Sequence, residues 1–322
     1  MNPSVRFDVV GVGLNATDTL LVVPHFPPYG GKVAFKQEVV SPGGQVASAM
    51  AVCSRLGLRA KYIGAVGDDE AGRIQMASLH AESMDVEDVE IHANCPNQRA
   101  YIVIDQSTGE RTILWRRDDC LQIHPARITP EKIAGARLLH VDGHDTPAVA
   151  RAAKIAHEHG IPVSVDVDTI YPGFGEVLAL TDFLVSSTEF PEKWTGEADP
   201  FRALEKIHTE YGMLVAAMTL GADGALARAE GKFFYSPGFV VQCADTTGAG
   251  DVFHGAFCYA VLAGMDLRET LEFSNAMAAL NCTRLGARGG IASEREARAL
   301  MIQTSGIKRR SNPDFAAVGR GA

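Results

Sequence analysis

Asp251 stands where a run of turn-forming residues, Asp245-Thr246-Thr247-Gly248-Ala249-Gly250, gives way to an apolar stretch, Val252 to Leu262, that reads as a buried helix. The glycines therefore sit at a helix N-terminus. The first backbone N–H groups there have no intrahelical partners and the helix dipole is positive, which makes a ready anion site. Gly248 and Gly250 let the backbone approach a phosphate with no Cβ in the way. A carboxylate beside such a site is electrostatically unfavourable unless it has work to do, such as taking a proton from an attacking hydroxyl. The plainer alternative is a glycine-rich turn with Asp251 as helix cap.

Other residues have two readings as well. Gly43-Gly44 precedes Gln45-Val46-Ala47-Ser48, where Gln45 and Ser48, three apart, share a helix face that either points at a ligand or follows a simple tight turn. Thr219-Leu220-Gly221-Ala222-Asp223-Gly224 ends a buried strand, as either a positive-φ turn or a ligand loop at a strand end. Asp18 is either a turn aspartate or a ligand group. Arg99, Arg116 and Arg117 lie on or beside a hairpin, as a fork for a carboxylate, sulfonate or phosphate, or as a solvated basic face countered by Asp118 and Asp119. His140 and His144 flank a strand end and are read as structural, and none of the ten histidines is assigned catalysis. Gly11-Val12-Gly13-Leu14-Asn15-Ala16 follows a strand as a dinucleotide fingerprint should, but Leu20 to Pro24 cannot continue a helix. No Gly-x-x-x-x-Gly-Lys-[Ser/Thr] occurs.

The elements that must position these residues alternate regularly. Strands are expected at 7–13, 61–66, 138–141, 163–167, 183–186 and 214–219, with helices at 45–56, 70–81, 147–159, 200–211, 249–263, 267–284 and 293–304. Near-continuous apolar strands between helices indicate a parallel sheet covered on both faces. Two β-rich excursions, at about 15–40 and 99–116, lack neighbouring helices and are expected to pair as a small protruding sheet, a candidate lid. Residues 1–305 are expected to form one domain, and 306–322 a mobile tail.

The chain has 322 residues, 46% hydrophobic and 21% charged, with a net charge of −9, which argues against a nucleic-acid partner. No apolar run approaches the ~20 residues of a membrane span, and Arg6 and Asp8 interrupt any signal-peptide core, so a cytoplasmic location is expected. The six cysteines are scattered without Cys-x-x-Cys and are expected to be reduced core residues.

Together, Gly43-Gly44 with its helix, Gly64-x-x-Gly67-Asp68-Asp69-x-x-Gly72 and Asp245-Thr246-Thr247-Gly248-Ala249-Gly250-Asp251 resemble the ribokinase-like (PfkB-type) carbohydrate kinase family over nearly the whole chain. Gly109-Glu110-Arg111-Thr112-Ile113-Leu114-Trp115, Leu139 to Gly143 and Val163 to Asp168 look most like its ketohexokinase-like members. The resemblance implies a three-layer α/β/α sandwich with a mostly parallel central sheet and a β lid, often shared between two subunits as a homodimer. It implies transfer of the ATP γ-phosphate to a sugar hydroxyl. Asp251 would be the base, and the N–H groups of Gly248, Ala249 and Gly250 the anion hole. Asp18, Gly43, Gly44, Gln45 and Ser48 would hold the sugar, with Arg99 and Arg117 for any acidic group. Ser186, Thr219, Gly221, Gly224 and Asn275 would line the ATP site, and Glu189 would organise Mg²⁺ through water. Asp245 and the backbone carbonyls of Thr247, Arg284, Gly289 and Ser293 would form a potassium-type site. The chain departs from the family pattern at Ser48 and Ser186, where asparagines are common. The shorter Ser48 is expected to leave room for a bulkier substrate. The expected acceptor is a hydroxymethyl group, on a ketose or an acidic sugar derivative. A nucleoside kinase would need an aromatic slot, for which Phe26, Tyr29, Phe35 and Tyr101 are candidates. A non-catalytic sugar sensor would have no need of Asp251.

Overall fold

A computed structural model describes residues 5–303 together with Arg310 and Phe315. Eight strands form the central sheet, in the order Lys232–Ser236, Ala225–Ala229, Val215–Thr219, Phe183–Ser186, Val163–Val167, Ala136–Val141, Phe7–Val12, Ala60–Ile63. The last six are mutually parallel, and the first two join antiparallel. Their side chains alternate between two cores. Val10, Leu139, Val141, Ala216 and Met218 pack in one core with Val149, Leu178, Phe190 and Leu204 from helices on that face. Val9 and Leu138 face the other way, into the helix Gln45–Arg55. Both faces are covered by helices, the architecture expected of apolar parallel strands. Strand order reverses between Phe7–Val12 and Ala136–Val141, and a crevice at the carboxyl ends of these strands is where such sheets hold ligands.

Helix ends follow local chemistry. Asp69, Asp199 and Asp266 each accept a hydrogen bond from a backbone N–H three residues on, at 2.9, 3.0 and 2.9 Å, and so cap helices Glu70–Ala81, Pro200–Tyr211 and Leu267–Asn281. The entry to Gln45–Arg55 is different. Gly44 has φ +94°, and a Cβ there would lie 2.3 Å from Asn15 Cα, so only glycine allows the chain to turn against the first strand's exit.

The lid is a separate four-stranded sheet in the order Gln37–Gly43, Ala16–Val23, Arg99–Asp105, Arg111–Arg116. Its inner face carries Leu20, Val22, Ala100, Ile102 and Ile104, packed with Val39 and with Leu285 of the body. Within the excursion expected at about 15–40, the first strand starts at Ala16, which already pairs with Gly43, so the second runs three residues past the expected end. The lid does not stand clear of the body. At its hairpin turn Gly109 O accepts from Thr246 N and Thr246 Oγ1, both at 3.3 Å.

One expectation changes. Cys95 and Cys120 form a disulfide with Cα atoms 5.9 Å apart, so the cysteines are not all reduced; Cys53, Cys243, Cys258 and Cys282 are free. The bond brackets the hairpin 99–116, whose antiparallel pairing brings the two flanks together. Most of the stretch 306–322, expected as a mobile tail, lies outside the described residues. At its two described positions it is docked: Arg310 pairs with Asp223 at 3.3 Å, and Phe315 packs on Phe201 and Tyr235 with ring centroids 5.5 and 5.7 Å away. No helix among the described residues is long and apolar enough to cross a membrane.

Reducing the protein should lower its unfolding free energy by about 2–4 kcal/mol, the usual effect of opening one loop. Alkylation in denaturant without reductant should label four of the six cysteines. Six labelled thiols would exclude the bond.

Candidate active site

The glycine-rich loop is built on Asp245. This carboxylate is fully buried; Oδ1 accepts from Thr247 N at 2.8 Å and Thr247 Oγ1 at 2.6 Å, and Oδ2 from Gly286 N at 2.8 Å. The chain then turns at Gly248, φ +74°, where a Cβ would sit 2.5 Å from both Cα and O of Ala287. The helix Ala249–Ala263 begins there with no side-chain cap. Of the three N–H groups expected to face an anion, that of Ala249 is used inside the turn, on Thr246 O at 3.2 Å. Those of Gly248 and Gly250 have no protein acceptor among the described residues, and a Cβ at Gly250 would meet nothing within 4 Å. An uncapped helix start with open space before it fits a phosphate group.

Asp251, in the first turn, has its carboxyl pushed up to about 6, first by burial and then by the charge of Asp166; His254, Arg111 and Arg288 oppose the shift. Asp18 reaches in from the lid. It is 5% exposed and raised to about 7, by burial and then by Asp251, which ties these two carboxylates to one crevice. Asp166, near the end of its strand, meets His254 Nε2 at 3.1 Å and accepts from Gln45 Nε2 at 3.4 Å through the same oxygen. Asp142, just past Val141, accepts from Leu14 N at 2.7 Å and His144 N at 2.9 Å, and burial holds it at about 8. The crevice thus gathers carboxylates around Asp251, a lining suited to the hydroxyls of a polyol.

Several expected site residues have other duties. Strand alternation decides Arg99: Asp18 registers with Ala100, so Arg99 is on the opposite, outer face of the lid, where it pairs with Asp69 at 2.7 Å. Arg117 is engaged by Asp145 at 2.5 Å and by Leu121 O. Ser48 is fully buried, and the room expected beside it is filled by Arg288. That guanidinium donates to Ser48 Oγ at 3.1 Å, Ser78 Oγ at 3.0 Å and Gly43 O at 3.0 Å, and burial lowers it to about 10. Ser186 Oγ points into the sheet, to Ala217 O at 3.3 Å. Asn275 uses its amide on Ser236 O and Oγ, both at 3.0 Å. Glu189 is exposed and pairs with Lys193 at 2.5 Å, which holds its carboxyl below the usual range. Thr219, Gly221 and Gly224 do form a loop at a strand end, with Gly221 at φ +58° and Gly224 at φ +103°. His140 is structural, bonded to Ser164 Oγ at 3.2 Å.

Sequence reasoning missed Arg111, Asp166, His254 and Arg288. Arg111 pairs with Ile104 on the inner face, and its Nη1 donates to Thr246 Oγ1 at 2.7 Å, so it is the lid arginine that reaches the glycine-rich loop. Register alone would have found it. His254 lies three residues past Asp251, on the same helix face, a spacing visible in the sequence.

Comparison with known proteins agrees with this geometry. The family model described as pfkB family carbohydrate kinase matches residues 7–294. An ATP-dependent ribose-1-phosphate kinase of Halopiger xanaduensis is 29% identical over 87% of this chain and 93% of its own length. The ribokinase of Haemophilus influenzae is 27% identical over 91% and 97%. A ribokinase-like crystal structure from Agrobacterium tumefaciens superposes with a TM-score of 0.85, at 29% identity, covering 92% of this chain and 97% of that one.

The two loop glycines should respond differently to alanine. Gly248→Ala should lose about 1–3 kcal/mol in urea unfolding, since positive φ and the Ala287 backbone both oppose a Cβ. Gly250→Ala should hold or gain up to about 1 kcal/mol from helix propensity, yet bind nucleotide triphosphate more weakly because its methyl stands in the open space. Equal stabilities for the two variants would contradict this loop geometry.

Proposed function

The chain belongs to the pfkB family of carbohydrate kinases, and we propose that within it this sugar kinase transfers the γ-phosphate of ATP to a hydroxymethyl group of a neutral sugar, a ketose foremost. The observation that carries this reading is the Asp251 carboxyl in the first turn of a helix whose start is uncapped. In the proposed reaction Asp251 takes the proton of the acceptor hydroxyl. The oxygen forms its bond to the γ-phosphorus as the bond to the β-phosphate oxygen breaks, and ADP leaves with the electron pair. N–H groups of Gly248 and Gly250 stabilise the charge on the moving phosphoryl oxygens. Asp18, Asp166 and Gln45 orient the remaining hydroxyls. The loop with Thr219, Gly221 and Gly224 is assigned to ATP. Magnesium, which screens phosphate charge, would ride on ATP with Glu189 in reach through water; the exposed Glu189–Lys193 pair can open for that at little cost.

Three neighbouring readings are weighed against this one. An acidic sugar loses its fork when Arg99 faces outward and Arg117 is held by Asp145. For a nucleoside, Phe26, Tyr29, Phe35 and Tyr101 are all half exposed or more, which does not make a slot for a base. A pure sensor has no use for a carboxylate held near pH 6. We also infer a homodimer through the lid, because Val40, Tyr101 and Leu114 lie on three of the four strands of its outer face, in one row through Thr19, and are 50%, 51% and 62% exposed.

ADP release from Mg-ATP over fructose, tagatose, ribose, an acidic keto sugar, a sulfonated ketose and adenosine tests the substrate assignment. Turnover confined to an anionic sugar or to adenosine would overturn it. Asp251→Asn should cut kcat by roughly a thousandfold with ATP affinity nearly unchanged. With the best acceptor, kcat/KM should fall as pH drops from 7 through 6. The two facing carboxylates, Asp18 at about 7 and Asp251 at about 6, must both be ionised, so the limb should steepen toward two protons. A single-proton limb would remove Asp18 from the ionising set.

A further inference from the structure

We propose that the side-chain amide of Asn281 fills the place between two loops where a potassium-type cation was expected, and that this chain works without that cation. The expected ligands do not form an open ring. Ser293 caps its own helix, with N and Oγ bonded to Glu296 Oε2 at 2.8 and 2.6 Å. Of the expected carbonyls, Ser293 O accepts from Ala297 N at 3.1 Å inside its own helix, and Thr247 O accepts from Asn281 Nδ2 at 3.2 Å. Both oxygens of Asp245 are satisfied by neutral donors, Thr247 N, Thr247 Oγ1 and Gly286 N.

Asn281 sits in the middle of this arrangement. It is fully buried at the end of the helix Leu267–Asn281. Its Nδ2 donates to Thr247 O and Ala287 O, each at 3.2 Å, and its Oδ1 accepts from Gly290 N at 3.0 Å. The amide cannot be turned over: a swap would set an oxygen against two carbonyls and an NH₂ against an N–H. Two amide hydrogens directed at carbonyls of two different loops provide the cross-link a bound cation would provide, without a net charge.

The consequence reaches the phosphate site through one peptide unit. Thr247 C=O and Gly248 N–H belong to the same rigid plane, so fixing the carbonyl fixes the direction of the N–H. Asn281 is therefore a positioning residue for the anion hole. Nothing else about the Asp251 chemistry changes.

The test compares the full-length protein with Asn281→Ala and Asn281→Asp in potassium, sodium and tetramethylammonium chloride at equal ionic strength. Thermal unfolding and ADP release are both read. For the unaltered protein, Tm should agree within about 1 °C across the three salts, since an ion that binds only the folded state would raise it. Its kcat/KM should likewise be independent of the cation. Asn281→Ala should be impaired in tetramethylammonium and selectively restored by potassium, by several degrees in Tm and roughly tenfold in kcat/KM, because it bares two carbonyls and leaves room for the ion. Asn281→Asp, which keeps the shape and sets a carboxylate against two carbonyls, should show the same selective response. A saturable potassium effect on the unaltered protein overturns the proposal. So does equal behaviour of the variants in all three salts, which would make the amide merely structural. The kinetic arm rests on the kinase reading and the thermal arm does not. Absent turnover with the expected Tm pattern would sink that reading and support this one.

Discussion

The buried carboxylate of Asp245 is the contact on which the rest of the site depends. Three neutral donors converge on it, and none could be lost without leaving a charge unsatisfied in the interior. On one side it folds Thr247 back so that Gly248 can start the helix. On the other it pins the segment 284–290, and nearly every other part of the site touches that segment. Leu285 enters the apolar face of the lid. Gly286 has φ +89°, which favours glycine, and a Cβ there would lie 2.6 Å from Ser41 Oγ of the lid strand. Ala287 closes against Gly248, and Arg288 runs under Gly43 to Ser48 and Ser78.

The lid is coupled to the phosphate loop by the same economy. Thr246 N and Oγ1 bond the hairpin turn at Gly109, and Thr246 Oγ1 also receives Arg111. Asp18 hangs from the same sheet. A lid strand that shifts to admit a sugar therefore moves a carboxylate of the acceptor site and strains a contact of the anion loop together. Such a link lets occupancy of one half of the crevice be felt in the other, which suits an enzyme that must keep water from the γ-phosphate until an acceptor is present.

How much of this was legible in the chain depends on the range of the signal. Helices 70–81, 200–211 and 249–263 and strands 163–167 and 183–186 begin and end where apolar pattern, proline and glycine placed them, because those signals are local. The glycine-rich loop and Asp251 were legible for the same reason. What failed was whatever depends on pairing between distant segments. Arg99 and Arg111 are alike as isolated residues; only the register with Asp18 and Ile104 says which faces the crevice. Arg288 looks like one more residue of a glycine-rich turn until it is seen inserted 240 positions away, against Ser48. Cys95 and Cys120 are joined by a hairpin, not by a spacing rule. Ser48 misled in a general way: a small residue was taken as empty space, whereas interiors are close-packed and something else fills the gap.

The crevice carboxylates also show what the site costs the fold. Asp18, Asp142 and Asp251 are all raised, to about 7, 8 and 6, with burial the first cause in each. A carboxyl raised on folding stabilises the folded state while it is protonated. That contribution is present at low pH and is lost as pH rises from the ordinary carboxylate value through the raised one. At neutral pH this group of acids therefore opposes the fold that holds it, and the sheet and its two cores must supply the difference. Arg288 offsets part of the strain, since its charge lowers both Asp18 and Asp251, but only by being buried itself with its hydrogens directed at Ser48, Ser78 and Gly43 O. It is a counter-charge built into the wall. The acids left facing the crevice gain most from neutral donors that arrive from outside. Sugar hydroxyls meet that requirement without adding a charge, whereas an anionic group would add to the repulsion that raises the Asp251 carboxyl.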